Sequence, residues 1–423
     1  MNPDALSKVR AIESLRAGVP NSDVVKVIPP VQADVEAAFD RLLLFPDGAQ
    51  QANAHGMVLE GEFGGGKSHW LEYFQDRAMH AGFVCSAITL NKETPLYDLA
   101  KIYRASVLSS AAKDRTGAAI FDIVFDYDAQ KEPGFAAFFD WAHAAAETGA
   151  LDPRLAASLR LFSKTSDEEV RFDLLTEWMG FPMKVGVFRS HLAGIGDTES
   201  VRIARTIKAG YLERFEFLSR LLISRGFNGW LLLVDETETI SKYTLRQRAK
   251  AYANLARLLG SPQSNAPQGI ATVATITKDF AATVLRGSRK NDLQNIPSKL
   301  RGSRDEPYLL DAESGMRRID SGRIELLAAP KERVALVYNK VRDLYRGAYG
   351  EADLPDVFGT REYASSRRMR EYVRSWINAW DLHRLYGYES NPADTIFEEV
   401  KQNLDEDEDM QNEPDDDGPM TVF

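Results

Sequence analysis

Eight residues early in the chain have the types and the spacing that hold phosphate groups. Gly61 to Ser68 read GEFGGGKS and fit the pattern G-x-x-x-x-G-K-[ST]. Glycines let backbone N–H groups approach phosphate oxygens with no Cβ in the way, and the lysine adds a positive charge. The alternative is a flexible glycine linker that matches the pattern by chance. The stretch predicts a binding site for the phosphates of ATP.

Each residue of this loop has an expected task. Lys67 would lie against the β and γ phosphates, and the Ser68 hydroxyl would ligate Mg²⁺. The helix predicted to follow would offer its N-terminal dipole to the anion. The residues predicted to contact the nucleotide are Gly61, Glu62, Phe63, Gly64, Gly65, Gly66, Lys67, Ser68 and His69.

A second group of candidates is a pair of acidic residues. Asp235 and Glu236 directly follow the apolar run WLLLV. A carboxylate at such a strand end can hold Mg²⁺ through water, which suits Asp235. Glu236 would then point beyond the γ phosphate and orient or deprotonate the attacking water. The alternative is a strand that simply ends in a polar loop.

Two threonines near the end of a later apolar run are further candidates. The run ATVATIT places Thr275 and Thr277 beside the acidic pair, if the strands are neighbours. A hydroxyl there could hold the lytic water or touch the γ phosphate. Thr277 is the preferred catalytic candidate because it lies nearer the loop, although either threonine could be an ordinary strand residue.

The elements that must position these residues alternate along the chain. Short apolar runs are separated by helical patterns through the first 330 residues, and the runs are apolar throughout. That pattern predicts an α/β fold with a parallel sheet covered on both faces. The predicted strands are GMVLEG, FVCSAITLN, GWLLLVDETETI, GIATVATITKDF and RIELLAAP, and helices follow Pro330.

The separation of the loop from the acidic pair predicts a helical insertion at about residues 105–205, either structural filling or a partner surface. Behind the last threonine lies a basic segment without aromatic residues, LRGSRKNDLQNIPSKLRGSRDE, from Leu285 to Glu306. Its basic residues are Arg286, Arg289, Lys290, Lys299, Arg301 and Arg304. It reads as a solvated loop, with phosphate-backbone contact or an arginine finger as alternatives.

The net charge of −10 is concentrated at one end of the chain. Residues 404–419 contain nine acidic residues and no basic ones, so the rest of the protein is nearly neutral. Residues 401–423 are predicted to be a disordered acidic tail, either solubilising or able to mimic nucleic acid.

A single cysteine, Cys85, and the absence of a long apolar run favour a cytoplasmic protein without membrane contact.

The order of these motifs resembles an AAA+ ATPase, in which a helical lid follows the sheet. More specifically, AIESLRAGVPNSDVV followed by EGEFGGGKSH, and then TITKDF and RIELLAAPKERV, are similar to the ATP-binding proteins of BREX-type phage-defence systems, in particular the short BrxD-like ATPases. Where that family has T-P-D-F, this chain has Thr277-Lys278-Asp279-Phe280.

The resemblance implies several further roles. An arginine early in a lid helix would reach the phosphates, with Arg370 preferred, Arg374 one turn on, and Arg367 or Arg368 as alternatives. Val19, Pro20 and Ile28–Pro30 would pack on the adenine, and Asn91 would restrain Glu236. The implied domains are an N-terminal helical segment at 1–55, an AAA+ core at 56–330, a lid at 331–400 and the tail.

Two functions from different classes remain in competition. The first is a Mg-ATP hydrolase that acts with DNA or a helicase in a defence complex, alone or as a homo-oligomer. The second is a nucleotide-gated scaffold with little hydrolysis. A kinase lacks an evident acceptor site, and the six scattered histidines argue against a metalloenzyme.

Overall fold

Six strands form a single sheet, and five of them run in parallel. The computed structural model describes residues 3–44, 55–128, 131–196, 210–260, 267–350, 353–358, 368–388, 404–405 and 407. The strands are β1 (Gly56–Gly61), β2 (Val84–Thr89), β3 (Ser110–Ala111), β4 (Trp230–Asp235), β5 (Ile270–Thr277) and β6 (Arg323–Glu325). Their order is β3-β2-β4-β5-β1-β6, and only the short edge strand β3 runs antiparallel.

The register brings the ends of the central strands to one edge of the sheet. Gly61 of β1 lies opposite Thr277 of β5, and Thr89 of β2 lies opposite Asp235 of β4. Since β5 lies between β1 and β4, its threonines stand between the glycine loop and the acidic pair. The loop, the threonines and the acids therefore share one end of the sheet, as expected for parallel strands.

Alternate side chains of each strand point to opposite, buried faces of the sheet. Leu231 and Leu233 pack on one face with Phe39 and Phe74, whereas Leu232 and Val234 belong to the core on the other face. Burial on both faces explains why the strands are continuously apolar rather than alternating. The predicted α/β fold with a helix-covered parallel sheet is confirmed.

Sixteen helices occupy the described part of the chain. They are α1 (Pro3–Ala17), α2 (Ser22–Val27), α3 (Ala33–Leu43), α4 (Lys67–His80), α5 (Leu99–Leu108), α6 (Ala119–Phe125), α7 (Phe135–Glu147), α8 (Pro153–Lys164), α9 (Glu168–Trp178), α10 (Val185–Gly194), α11 (Tyr211–Ser224), α12 (Leu245–Leu258), α13 (Asp292–Leu300), α14 (Leu309–Asp320), α15 (Lys331–Tyr349) and α16 (Met369–Tyr386). The short α2, with Asn21 as its N-cap, was not expected from the sequence.

The helices between β2 and β4 share one core with the sheet. Phe162, Trp178 and Phe217 belong to the same buried cluster as Trp230 of β4. Within this region Glu177 accepts from both Arg154 and Arg214, at 2.7 Å and 3.2 Å, and all three side chains are buried. The predicted insertion is thus packed against the core; residues 129–130 and 197–205 of it lie outside the described residues.

The N-terminal and C-terminal helices form a common helical unit. Ile12 of α1 and Val24 of α2 are buried in one cluster with Val341 of α15 and with Trp376 and Trp380 of α16. Residues up to Ile28 therefore share a core with α15 and α16, separate from the clusters on the two faces of the sheet. Helix α3, which also lies in the segment expected at 1–55, packs on the sheet instead through Val35, Phe39 and Leu42.

The basic segment contains a helix at its centre, with turns on both sides of it. A π-turn (Ala281–Leu285) precedes it, and α13 spans its centre with Pro297 inside the helix. The expected loop is therefore wrong for Asp292–Leu300 only, and the basic side chains on both sides of α13 are mostly exposed, as expected. Most of the predicted acidic tail lies outside the described residues.

Candidate nucleotide-binding site

The glycine loop joins the end of β1 to the beginning of α4. Gly64 and Gly66 have φ angles of +75° and +96°, which L side chains rarely adopt. A Cβ on Gly65 would lie 2.9 Å from the Glu62 carbonyl oxygen, which already accepts from the Gly65 N–H at 2.9 Å. The turn therefore requires glycines, and it delivers Lys67 and Ser68 to the first turn of the helix.

Lys67 is held across the mouth of this loop. Its side chain is buried, and Nζ donates to the carbonyls of Gly61 at 3.3 Å and Glu62 at 3.2 Å. Both acceptors are neutral carbonyl groups, so these two contacts do not neutralise the positive charge of the ammonium group. An anionic group placed at the loop would gain from that charge.

Ser68 and Asp235 meet although 167 residues separate them. The Ser68 hydroxyl donates to Oδ2 of Asp235 at 2.7 Å. The Thr275 hydroxyl donates to Oδ1 of the same carboxylate, and the Glu236 N–H does so at 3.0 Å. Asp235 is therefore oriented from both sides. A serine hydroxyl beside a fixed carboxylate is the hard oxygen environment that suits Mg²⁺.

Glu236 lies in a strained backbone conformation next to this cluster. Its φ of +62° is in the left-handed region, which costs a non-glycine residue about 1–2 kcal/mol. Burial, and next the charge of Asp235, raise the pKa of Glu236, while Lys67, Lys242 and Arg370 act in the opposite direction. A carboxyl group with a raised pKa is a better proton acceptor once ionised.

The two threonines of β5 have different surroundings. Thr275 is bonded to Asp235, whereas the buried Thr277 hydroxyl has no hydrogen-bond partner among the described residues. Sequence reasoning preferred Thr277, and nothing in the sequence distinguished Thr275 as the partner of Asp235. The roles of both threonines in catalysis remain predictions.

A cavity of about 600 Å³ opens between the glycine loop and the helical unit. Its walls include Pro20, between α1 and α2, Ile28, directly after α2, and Val337 and Tyr372 from α15 and α16. This volume lies within the 300–1,000 Å³ range typical of small-molecule sites. The cavity also reaches the loop and the acidic pair; the residues from that side are Glu62, Phe63, Gly64, Gly65, Gly66, Lys67, Ser68, His69, Asp235 and Glu236.

The segment Val27–Gln32, here called the strap, forms part of this wall and is fastened by side chains from other elements. His69 Nε2 donates to the Ile28 carbonyl at 2.8 Å. Lys340 donates to the Val27 carbonyl at 2.7 Å, and Arg333 to that of Pro29. These bonds link the strap to α4 and α15. Sequence reasoning placed His69 at the nucleotide but missed its contact with the strap.

Burial first, and the nearby Arg333 charge next, lower the pKa of His69, against the effect of the Ile28 carbonyl. The imidazole is therefore favoured in its neutral form, which keeps one N–H for the strap.

The Arg370 side chain reaches the glycine loop. Its guanidinium carbon lies 5.8 Å from the Phe63 ring centre, as does that of Arg368. A Cβ on Gly18 would lie 3.2 Å from Arg370 Cδ. Burial, and next the charge of Arg374, lower the pKa of Arg370, whereas Glu236 and Asp235 favour its charged form. Arg367 lies outside the described residues.

Other expected contacts have mixed outcomes. Pro20, Ile28 and Pro30 line the cavity, whereas Val19 is 68% exposed and does not line it. Asn91 caps its own turn by accepting from the N–H groups of Glu93 at 2.8 Å and Thr94 at 3.0 Å. The adenine and restraining roles remain predictions.

No other metal site is evident in the part of the chain that the structure describes, where no three His, Cys, Asp or Glu side chains are grouped suitably for an ion. Cys85 is buried. Of the described helices, none combines the length and the apolar character needed to span a bilayer.

The fold and the site together define an α/β protein compatible with the P-loop nucleotide-binding class. The profile of one family, the BREX system ATP-binding protein BrxC/D, matches residues 6–132 and 200–374, more than half of the chain. The chain therefore belongs to the BrxC/D family of BREX ATP-binding proteins, and the resemblance seen in its motifs is confirmed. No curated protein and no solved structure matches it.

Proposed function

We propose that the protein is an AAA+ ATPase that binds and hydrolyses Mg-ATP as part of a BREX-type anti-phage defence complex. The main support is the 2.7 Å hydrogen bond from Ser68 to Asp235, because it brings the end of the glycine loop to the acidic pair. Family membership supports ATP binding and a role in the defence system. DNA, a helicase or other defence proteins, and further copies of this chain, are the proposed partners.

In this proposal the nucleotide lies with its phosphates on the glycine loop and its base toward the strap. Lys67 contacts the β and γ phosphates, and Arg370 contributes a second positive charge from the helical unit. Ser68 ligates Mg²⁺, and Asp235 holds the ion through water. The oxygen donors fit this ion, which supplies charge neutralisation when it is bound.

Glu236 is the proposed general base, with Thr277 as a candidate to hold the lytic water. The helical unit plays the part of the AAA+ lid, since Arg370 extends from the first turn of α16 into the cavity. The N-terminal helices pack with it and contribute to the base pocket.

Hydrolysis is tested by Glu236→Gln, with Glu325→Gln at the exposed end of β6 as the control. We expect at least a hundredfold loss of turnover for Glu236→Gln, because general bases typically contribute that much. ATP binding, measured by equilibrium dialysis with Mg²⁺, should persist. The control should retain turnover within about twofold.

The outcome also separates the ATPase from the nucleotide-gated scaffold. A wild-type protein that binds ATP but shows no turnover, with or without DNA and partner proteins, would favour the scaffold. Undiminished turnover in Glu236→Gln would remove the catalytic assignment, and absence of Mg-ATP binding would remove both functions.

A further inference from the structure

The acidic C-terminal tail contacts the basic segment within the same molecule. Asp405 Oδ1 lies 2.7 Å from Nη1 of Arg289, and Lys290 Nζ donates to the Leu404 carbonyl. The Asp407 N–H donates to the Lys242 carbonyl at 3.2 Å. Leu404 packs against the main core. We call Leu404, Asp405 and Asp407 the tail contact.

The aspartates of the basic segment pair with α12 and not with the segment's own basic residues, of which Arg286 pairs with Asp320 of α14. Asp292 is buried and pairs with Arg248 of α12 at 2.9 Å, and Asp305 pairs with Arg246 of the same helix. Among the described residues, the exposed Lys299, Arg301 and Arg304 form no ion pair; of the acids in the segment, Glu306 is the exposed one.

This surface fits a phosphate backbone better than it fits bases. It carries six basic residues from Arg286 to Arg304 and no aromatic side chain in that range on which a base could stack. Arg289 and Lys290 lie just before α13 and Lys299 near its end, so about 10 Å of helix separates them. Two positive clusters at that separation can each meet a phosphate of one strand.

The tail contact is weak enough to be displaced. Arg289 and Asp405 are 82% and 59% exposed, and exposed ion pairs contribute at most about 1 kcal/mol. The tail is attached to the same chain, however, so its effective concentration at the surface is high. The Asp405 carboxylate held at Arg289 therefore competes with a phosphate group that arrives from solution.

We propose that the basic segment binds the phosphate backbone of nucleic acid, and that the tail contact occupies this surface in cis until nucleic acid displaces it. The inference adds a site to the DNA partnership of the proposed function, on which it rests for the choice of polyanion. It does not depend on hydrolysis.

Lys290 and the tail contact also meet the end of the turn that follows the acidic pair. Lys290 donates to the Ser241 carbonyl at 2.5 Å, and the Lys242 carbonyl accepts a hydrogen bond from the Asp407 N–H. Ser241 and Lys242 end the 3₁₀ turn Thr237–Lys242, which begins directly after Glu236. Exchange of the tail for nucleic acid would therefore change the contacts at the far end of the turn that leads from the proposed catalytic base.

The test compares two full-length variants that remove equal charge from the tail. The proximal variant carries Asp405→Asn, Glu406→Gln and Asp407→Asn; the distal variant carries Asp415→Asn, Asp416→Asn and Asp417→Asn. The probe is a fluorescent 30-nucleotide oligo(dT), with anisotropy measured at several salt concentrations. We expect the proximal variant to bind about threefold to fivefold tighter than wild type and the distal variant within twofold of it.

A second measurement locates the surface. Arg289→Ala in the proximal background should weaken binding and reduce the dependence of log K on log salt by about one ion. Lys113→Ala, an exposed lysine beside β3 at the far edge of the sheet, is the matched control and should change neither. Thermal unfolding confirms that each variant is folded.

Three results would overturn the proposal. Equal tightening by the proximal and distal variants would mean that bulk charge, and not the tail contact, acts. No change in either variant would mean that the tail does not compete. Equal losses from Arg289→Ala and Lys113→Ala would place the nucleic acid elsewhere. ATP binding, measured separately, distinguishes any of these from failure of the proposed function.

Discussion

Arg16 and Asp381 form a bidentate ion pair that joins α1 to α16. Nε of Arg16 donates to Oδ2 and Nη2 to Oδ1, each at 3.0 Å. Tyr345 of α15 donates to the same carboxylate at 2.8 Å. The pair therefore holds together the three helices whose unit forms one wall of the cavity.

Asp381→Ala should loosen this wall. We expect a loss of about 1.5–3 kcal/mol in the free energy of unfolding, typical of hydrogen bonds to charged groups, and weaker ATP binding. Denaturant unfolding and equilibrium dialysis measure the two effects. Arg10→Ala, which breaks the exposed Arg10–Asp23 pair on the same α1, should cost at most about 1 kcal/mol. Unchanged ATP affinity in Asp381→Ala would mean that the helical unit does not shape the site.

Gly66→Ala tests the loop itself. Its φ of +96° strains any side chain, although no atom lies within 4 Å of the added Cβ. Gly149, in the insertion, has a φ of +75° and equally open space, so Gly149→Ala is the matched control. Both should lose about 1–2 kcal/mol of stability, but only Gly66→Ala should lose ATP binding. Equal ATP affinity in the two variants would contradict the assignment of the loop.

The threonines of β5 can be separated by Thr275→Val and Thr277→Val. Thr275→Val removes a donor to Asp235, so both turnover and the free energy of unfolding should fall, the latter by about 1 kcal/mol. Thr277→Val removes a buried hydroxyl that has no partner among the described residues, so stability should be unchanged or higher. If Thr277 holds the lytic water, its variant loses turnover without losing stability. Full turnover in Thr277→Val would exclude that role.

Stability without nucleotide should depend on pH through Glu236. Because its pKa is raised in the folded state, the folded protein binds this proton more tightly than the unfolded chain, so stability is lost as the pH rises through the folded pKa. Glu236→Gln should therefore unfold at a higher temperature than wild type at pH 8. The difference should shrink towards pH 4, near the ordinary pKa of glutamate.

The pH dependence of stability that comes from Glu325 should have the opposite sign to that from Glu236, and Glu325→Gln tests this. Its hydrogen bond from Lys278 lowers the pKa of Glu325, so the charged form adds stability above the ordinary range of that pKa. The effect should be small because both side chains are about half exposed. Scanning calorimetry measures the unfolding temperatures. A difference in unfolding temperature between Glu236→Gln and wild type that does not change with pH would argue against a raised pKa of Glu236 in the folded protein.

Local patterns were sufficient to predict the central strands and the loop, because continuous apolar runs and a glycine-rich turn have few alternatives. Gly56–Gly61 has the predicted bounds, whereas β4 and β5 end at Asp235 and Thr277, earlier than the stretches predicted for them. The two-residue strand β3 and the short α2 were missed because they are too short to show a period.

Contacts across long stretches of chain could not be predicted. Nothing local in Ile12 or Trp380 indicates that they share a core, since that depends on how the two chain segments pack. The same applies to the strap, whose carbonyls are held by His69, Arg333 and Lys340. The docked position of Asp405 on Arg289 likewise depends on tertiary structure.

The pairing of β1 with β5 has a consequence for synthesis on the ribosome. Gly61 has its neighbour at Thr277, and β2 has its neighbour in β4. At about 5–20 residues per second, roughly 10–40 seconds pass between translation of the two partners of β1. During that interval the first two strands lack their neighbours in the sheet, and their exposed apolar side chains and unpaired edges are prone to aggregation. A nascent chain of this protein should therefore depend on chaperones, and it cannot complete its phosphate site until the second half has emerged.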